Sequence, residues 1–149
     1  MKKLTCHCGG VEIEVSLPNG LKNLVRCNCS ICKKRNAIMA MVGPDDLKVI
    51  KGKELLKLYQ FHTKTAKHYF CSVCGIYTHH NPRRNPNSYG FNVACLENVN
   101  PYDLKDISFF DGVNHPLDKN KWKNYKIFKS NRKFTEPVIK NVHIKNIKI

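Results

Sequence analysis

The sequence predicts a mainly β domain tied together by metal, on three observations. Short apolar or alternating segments recur along the chain. Turn-forming residues separate them. Cysteines come in clusters whose spacing suits an ion better than a disulfide.

In order, Val11-Glu12-Ile13-Glu14-Val15 alternates apolar and acidic residues, the pattern of a half-buried strand. Leu17-Pro18-Asn19-Gly20 reads as a turn. Ala37-Ile38-Met39-Ala40-Met41-Val42 is a short apolar run that predicts a buried strand, closed by Gly43-Pro44-Asp45-Asp46. Residues 47–52 predict another strand, 53–58 a short helical turn, and 59–63 and 67–70 two further strands. Two prolines and three asparagines make residues 81–87 a loop. An extended pattern resumes over residues 89–96, with Phe91, Val93 and Cys95 on one face. Cys95 is therefore read as a packed apolar residue and not a ligand.

The last part of the chain differs in composition. From Lys119 onward Glu136 is the single acid. Residues 140–145 could pair as an edge strand or pack as an extension. We expect a domain at 1–115 and a basic C-terminal extension at 116–149, packed on the same domain.

The 149 residues suffice for one ordinary domain, and 42% of them are hydrophobic, enough for a modest core. No apolar run is long enough to span a membrane. The start, Met1-Lys2-Lys3-Leu4-Thr5-Cys6, has no apolar h-region, so we expect a soluble cytoplasmic protein. Twenty-six basic against eleven acidic residues give a formal charge of +15. That charge would attract nucleic acid, an anionic membrane surface or a small acidic metabolite, or would simply solvate a lysine-rich surface.

The eight cysteines are Cys6, Cys8, Cys27, Cys29, Cys32, Cys71, Cys74 and Cys95. Seven of them form three clusters, Cys6-His7-Cys8-Gly9, Cys27-Asn28-Cys29-Ser30-Ile31-Cys32 and Cys71-Ser72-Val73-Cys74-Gly75. Closely spaced thiolates can aim at one ion, and zinc takes four ligands in a tetrahedron with Zn–S near 2.3 Å. Glycine after the last cysteine tolerates the positive φ of a tight turn around such a site.

One division joins Cys6 and Cys8 to Cys71 and Cys74, a closed four-thiolate structural site. Closing that loop of about 65 residues costs roughly 3.7 kcal/mol plus a constant, whereas a structural zinc contributes on the order of 10–16 kcal/mol. Cys27, Cys29 and Cys32 then leave one position open, the plan of a catalytic zinc. Spacing equally allows Cys27–Cys32 to join Cys71 and Cys74, or the triplet to be closed by His7, His62 or His68.

With Gly10 and Val11 after the first cluster and His68-Tyr69-Phe70 before the third, these clusters resemble the glutathione-dependent formaldehyde-activating enzyme family, which includes the centromere protein V domain. Asn81-Pro82-Arg83 and Asn92-Val93-Ala94-Cys95-Leu96 also look like family elements, and the resemblance runs from about residue 5 to about residue 110. It implies a β-tent fold of small packed antiparallel sheets with two Zn(2+) per chain. By its pattern Cys6, Cys8, Cys71 and Cys74 hold the structural ion, and Cys27, Cys29 and Cys32 hold the reactive one. The implied reaction joins formaldehyde to glutathione as S-hydroxymethylglutathione, a carbon–sulfur lyase activity in the reverse sense.

Under that resemblance Cys27, Cys29 and Cys32 are the catalytic residues, and a small thiol and an aldehyde are the partners. A coordinated thiol is deprotonated, so delivery of a thiolate to the aldehyde carbon is expected in preference to strong carbonyl polarisation. Lys33, Lys34, Arg35, Arg83 and Arg84 are candidate partners for glutathione's carboxylates. Arg83, inside the family-like stretch, and Arg35 are the chosen substrate-binding residues. His68, Tyr69, His79 and His80 are candidate proton donors, weighed against ordinary packing roles.

Two other classes compete. A zinc-stabilised basic module would bind nucleic acid or another anion, though only Trp122 and Tyr125 lie among the basic residues as stacking platforms. A zinc-stabilised scaffold without chemistry would unfold on Cys29→Ser.

Overall fold

The computed structural model describes residues 1–118. The basic extension beyond them, with the strand expected at 140–145, lies outside the described residues. Among the described residues, ten short strands, one single-turn α-helix and several 3-10 turns make the protein mainly β.

The first sheet has the order β1-β2-β5, from β1 (Lys2–Thr5), β2 (Glu12–Val15) and β5 (Leu47–Lys51), all antiparallel. The alternation read in β2 is realised, with Ile13 and Val15 fully buried and Glu12 and Glu14 half-buried. Glu12 lies between Lys3 on β1 and Lys51 on β5, each at 3.1 Å, so opposite charges sit on adjacent strands of one face.

The second sheet adds β3 (Val25–Cys27), β4 (Met39–Val42), β6 (Leu56–Tyr59), β7 (Lys67–Cys71), β8 (Tyr77–Asn81), β9 (Tyr89–Asn92) and β10 (Ser108–Phe110). Its order is β10-β3-β4-β9-β8-β7-β6. Every pairing is antiparallel except β10 with β3, which is parallel and makes the sheet mixed. Leu4, Ile13 and Val15 from the first sheet share one core with Ala40, Cys71 and Phe91 from the second. Burial of each Leu, Ile, Val or Phe among them is worth about 1.5–3 kcal/mol.

Several expected boundaries move. The helical turn covers only Lys53–Leu55, and β6 follows it because residues from Leu56 pair with β7, beginning Leu56 opposite Cys71. The strand expected over 59–63 keeps only Tyr59, the last residue of β6, since His62 and Lys64 take positive φ and turn the chain. β9 ends at Asn92, whose side chain accepts the Ala94 N–H and starts a 3-10 turn through Val93–Cys95. Phe91, Val93 and Cys95 are buried as expected. The Cys95 thiol donates to the Tyr77 carbonyl at 3.7 Å, and burial pushes it up to about 12, consistent with packing and no ligand role.

Candidate metal centres

Two hairpin tips carry the first group. The chain leaves β1 at Cys6 and returns at Val11, with the Cys6 N–H donating to the Val11 carbonyl at 3.1 Å. It leaves β7 at Cys71 and returns at Ile76, with the corresponding bond at 2.9 Å. Gly9 and Gly75, each directly after a cysteine, adopt φ of +69° and +73°, the left-handed turn that curls the sulfurs inward.

These tips bring Cys6, Cys8, Cys71 and Cys74 together with their sulfurs all within 4.8 Å of one another. Cys6 Sγ lies 3.5 Å from Cys8 Sγ, and Cys8 Sγ lies 3.7 Å from Cys71 Sγ. A tetrahedral zinc site has S···S edges near 3.8 Å, whereas a disulfide needs about 2.05 Å. The Val11 N–H donates to Cys6 Sγ at 3.2 Å, an outer hydrogen bond of the kind that orients a metal-bound sulfur. The donors fit a closed thiolate site.

Cys27, Cys29 and Cys32 form the second group, again with sulfurs within 4.8 Å. Cys27 ends β3, and Cys32 begins α1 (Cys32–Arg35). The Cys29 N–H donates to Cys27 Sγ at 3.4 Å. Hydrogen bonds from Cys27 and then Cys32 hold the Cys29 thiol far below its ordinary range, helped by nearby backbone N–H groups, while the same crowding pushes Cys32 up. A cation at this set would favour the thiolate form of all three sulfurs. The described residues add no histidine to either group, so the geometry follows the division into four and three.

A loop closes over this triplet from the far end of the described chain. β10 runs parallel to β3 with Phe110 opposite Cys27. Asp111 Oδ1 accepts from Asn28 Nδ2 at 2.9 Å and from the Val113 N–H at 3.2 Å. Asn28 Oδ1 accepts from the same Val113 N–H at 3.0 Å. Gly112 packs so tightly that a Cβ there would lie 2.5 Å from Cys27 Sγ. Sequence reading missed Asn28, Asp111 and Gly112 as site residues. Asp-Gly is a turn signal, but nothing local says which cluster the turn covers.

Arg35, one turn along α1 from Cys32, borders a wall of rings. Its guanidinium carbon sits 3.8 Å over the Tyr77 ring, and Nη1 lies 3.2 Å from His68 Nδ1. His68 Nδ1 is also 3.3 Å from the Tyr77 hydroxyl. His68 stacks on His80 with centroids 5.7 Å apart, and the His80 ring covers Gly90, where a Cβ would meet it at 2.3 Å. His80 Nδ1 is buried without a hydrogen-bond partner among the described residues. Burial first, then the Arg35 charge, lowers His68 to about 4; burial lowers His80 to about 3, so both are neutral near pH 7.

The other expected residues have different settings. Arg83 Nη1 pairs with Asp118 Oδ1 at 2.7 Å, so a substrate carboxylate there would compete with one of the chain's own. Lys33, Lys34 and Arg84 are exposed. Tyr69 stacks on His79 at 4.6 Å, and His79 Nδ1 lies 3.0 Å from the Thr78 hydroxyl, so both are tied into packing.

A family model described as glutathione-dependent formaldehyde-activating enzyme matches residues 1–110. A crystal structure of a Rhodobacter sphaeroides protein is similar at 57% identity and a TM-score of 0.69, covering 72% of this chain and 99% of that one.

Proposed function

We propose, for a chain that belongs to the glutathione-dependent formaldehyde-activating enzyme family, a zinc enzyme that condenses formaldehyde or a related aldehyde with glutathione or another small thiol. In enzyme classification this is a carbon–sulfur lyase acting in reverse. The observation that carries the reading is the difference between the two sulfur groups, four donors in one and three in the other. A closed set is structural, whereas a set of three leaves room for a substrate sulfur.

Cys6, Cys8, Cys71 and Cys74 would hold one zinc, and Cys27, Cys29 and Cys32 the other. When bound at the triplet, the ion supplies thiol activation, because a coordinating thiol is deprotonated. The substrate sulfur then forms a bond to the aldehyde carbon, the carbonyl electron pair moves onto oxygen, and that oxygen takes a proton from water. The thiol proton is released, so the sum is one thiol plus one aldehyde giving one hemithioacetal, the S-hydroxymethyl compound when the aldehyde is formaldehyde. The loop carrying Gly112 limits access to the sulfurs from one side. Neutral His68 and His80 add no positive charge that would compete for the thiolate.

No helix among the described residues is long and apolar enough to cross a membrane. Eight free cysteines suit a reducing compartment, and the reading places the enzyme in the cytoplasm. It keeps residues 1–115 as the zinc domain and 116–149 as a basic extension.

The test is elemental analysis with a rate assay on the same sample. Two zincs per chain and zinc-dependent formation of S-hydroxymethylglutathione above the uncatalysed rate are expected. Two zincs without acceleration would remove the substrate, and one zinc would remove the reactive site. The alternative, a basic module for an anionic partner, rests on the charge of +15. It would show a steep linear fall of log affinity for nucleic acid with log salt.

A further inference from the structure

Arg35 is a half-buried cation with no carboxylate within ion-pair distance among the described residues. The half-buried Arg83, by contrast, has Asp118. A charge withdrawn from water needs compensation. Around Arg35 the chain supplies rings: the Tyr77 face at 3.8 Å and His68 Nδ1 at 3.2 Å. Neither brings a negative charge, since His68 is neutral and burial keeps the Tyr77 hydroxyl protonated. These contacts fix the guanidinium without neutralising it. They engage one face of the guanidinium and Nη1, and include the Tyr77 hydroxyl.

The position adds a second fact. Arg35 follows Cys32 by three residues on the same helical turn, so both leave neighbouring points of one face. A cation held there shares the helical turn from which Cys32 enters the triplet. Planar and bidentate recognition by arginine selects carboxylates.

We propose that Arg35, held by His68 and Tyr77, is the carboxylate subsite of the reactive centre, and that the protein selects carboxylate-bearing thiols over their uncharged amides. This deepens the thiol–aldehyde reading and rests on it for the thiol. The competing role for Arg35 is to balance the charge of the triplet thiolates, and the experiment separates the two.

Calorimetry on the two-zinc protein would compare glutathione with glutathione amidated at both carboxylates. Wild type is expected to prefer the acid by about tenfold or more, the worth of a charge-assisted hydrogen bond. Arg35→Gln should bring the ratio close to one with zinc content unchanged. Lys34→Gln removes the same charge from an exposed neighbour and should keep the preference. A preference that survives in Arg35→Gln overturns the proposal. So does selective loss of the triplet zinc in that variant, which would assign Arg35 to the thiolates. If wild type binds neither thiol, the thiol reading fails by itself. Propionate, followed on the Arg35 Nε–H resonance, then decides the subsite: a saturable shift supports it and no shift overturns it.

Discussion

Gly112 and Cys27 are 85 residues apart, yet a Cβ on Gly112 would lie 2.5 Å from Cys27 Sγ and 2.7 Å from the Cys29 Cβ. The turn that follows β10 is therefore part of the triplet site. Gly112→Ala must push the loop away or displace a sulfur. We expect a loss of about 1–3 kcal/mol, the range for overpacking, and faster removal of one of two metals by a chelator. An unchanged extraction rate would count against the loop as part of the site.

Asn28 holds that loop by donating to Asp111 and accepting from Val113. Asn28→Ala should cost about 0.5–1.5 kcal/mol per lost hydrogen bond at most, and should raise chelator access to the triplet while leaving the quartet slow. Biphasic metal release that becomes more widely separated in the variant is the expected signal. Release of both metals at equal, accelerated rates would mean the latch serves the whole fold.

The two sulfur groups should fail differently. Cys71 is fully buried and joins the second hairpin tip to the first. Cys71→Ser is expected to lose the quartet zinc and most of the stability that it provides, on the order of several kcal/mol. Cys29→Ser should lose one zinc and the activity while thermal unfolding stays cooperative. An unfolded Cys29→Ser protein would favour a zinc scaffold without chemistry.

Acid should weaken the fold before its carboxylates titrate. Burial lowers His79 from 6.5 to about 4. Between those values the unfolded chain binds the proton and the folded chain does not, so stability is complete above about pH 6.5 and falls as the pH drops towards 4. The effect of this one residue is up to about 3 kcal/mol at 1.36 kcal/mol per pK unit. His79→Phe keeps a ring against Tyr69. Its urea midpoint should vary less with pH than that of wild type over this window, and an equal dependence would refute the assignment.

Much of this was written locally. β2 announces itself by alternation, because side chains on a strand point to opposite faces and only one face is buried. The clusters at Cys6, Cys27 and Cys71 announce thiolate sites, because ligands for one ion must be close in space and are most simply close in sequence. Gly9 and Gly75 mark the hairpin tips by needing positive φ. The resemblance carried by these same residues pointed to the family that the match over residues 1–110 shows.

Tertiary structure decided what local pattern could not. Spacing allowed the Cys71–Cys74 pair to join either earlier cluster, and the packing of the two hairpin tips places it beside Cys6 and Cys8. Sequence offered both Arg35 and Arg83 and favoured Arg83 for its family-like stretch, but Arg83 meets Asp118 while Arg35 meets Tyr77 and His68. The parallel pairing of β10 with β3, which carries Asp111 and Gly112 onto the triplet, joins residues more than eighty positions apart. Sequence by itself determined the donors, the strand faces and the turns, since each depends on a few neighbouring residues. Which donors meet, and which cation lacks an anion, depends on contacts between distant segments, which only the packed chain brings together.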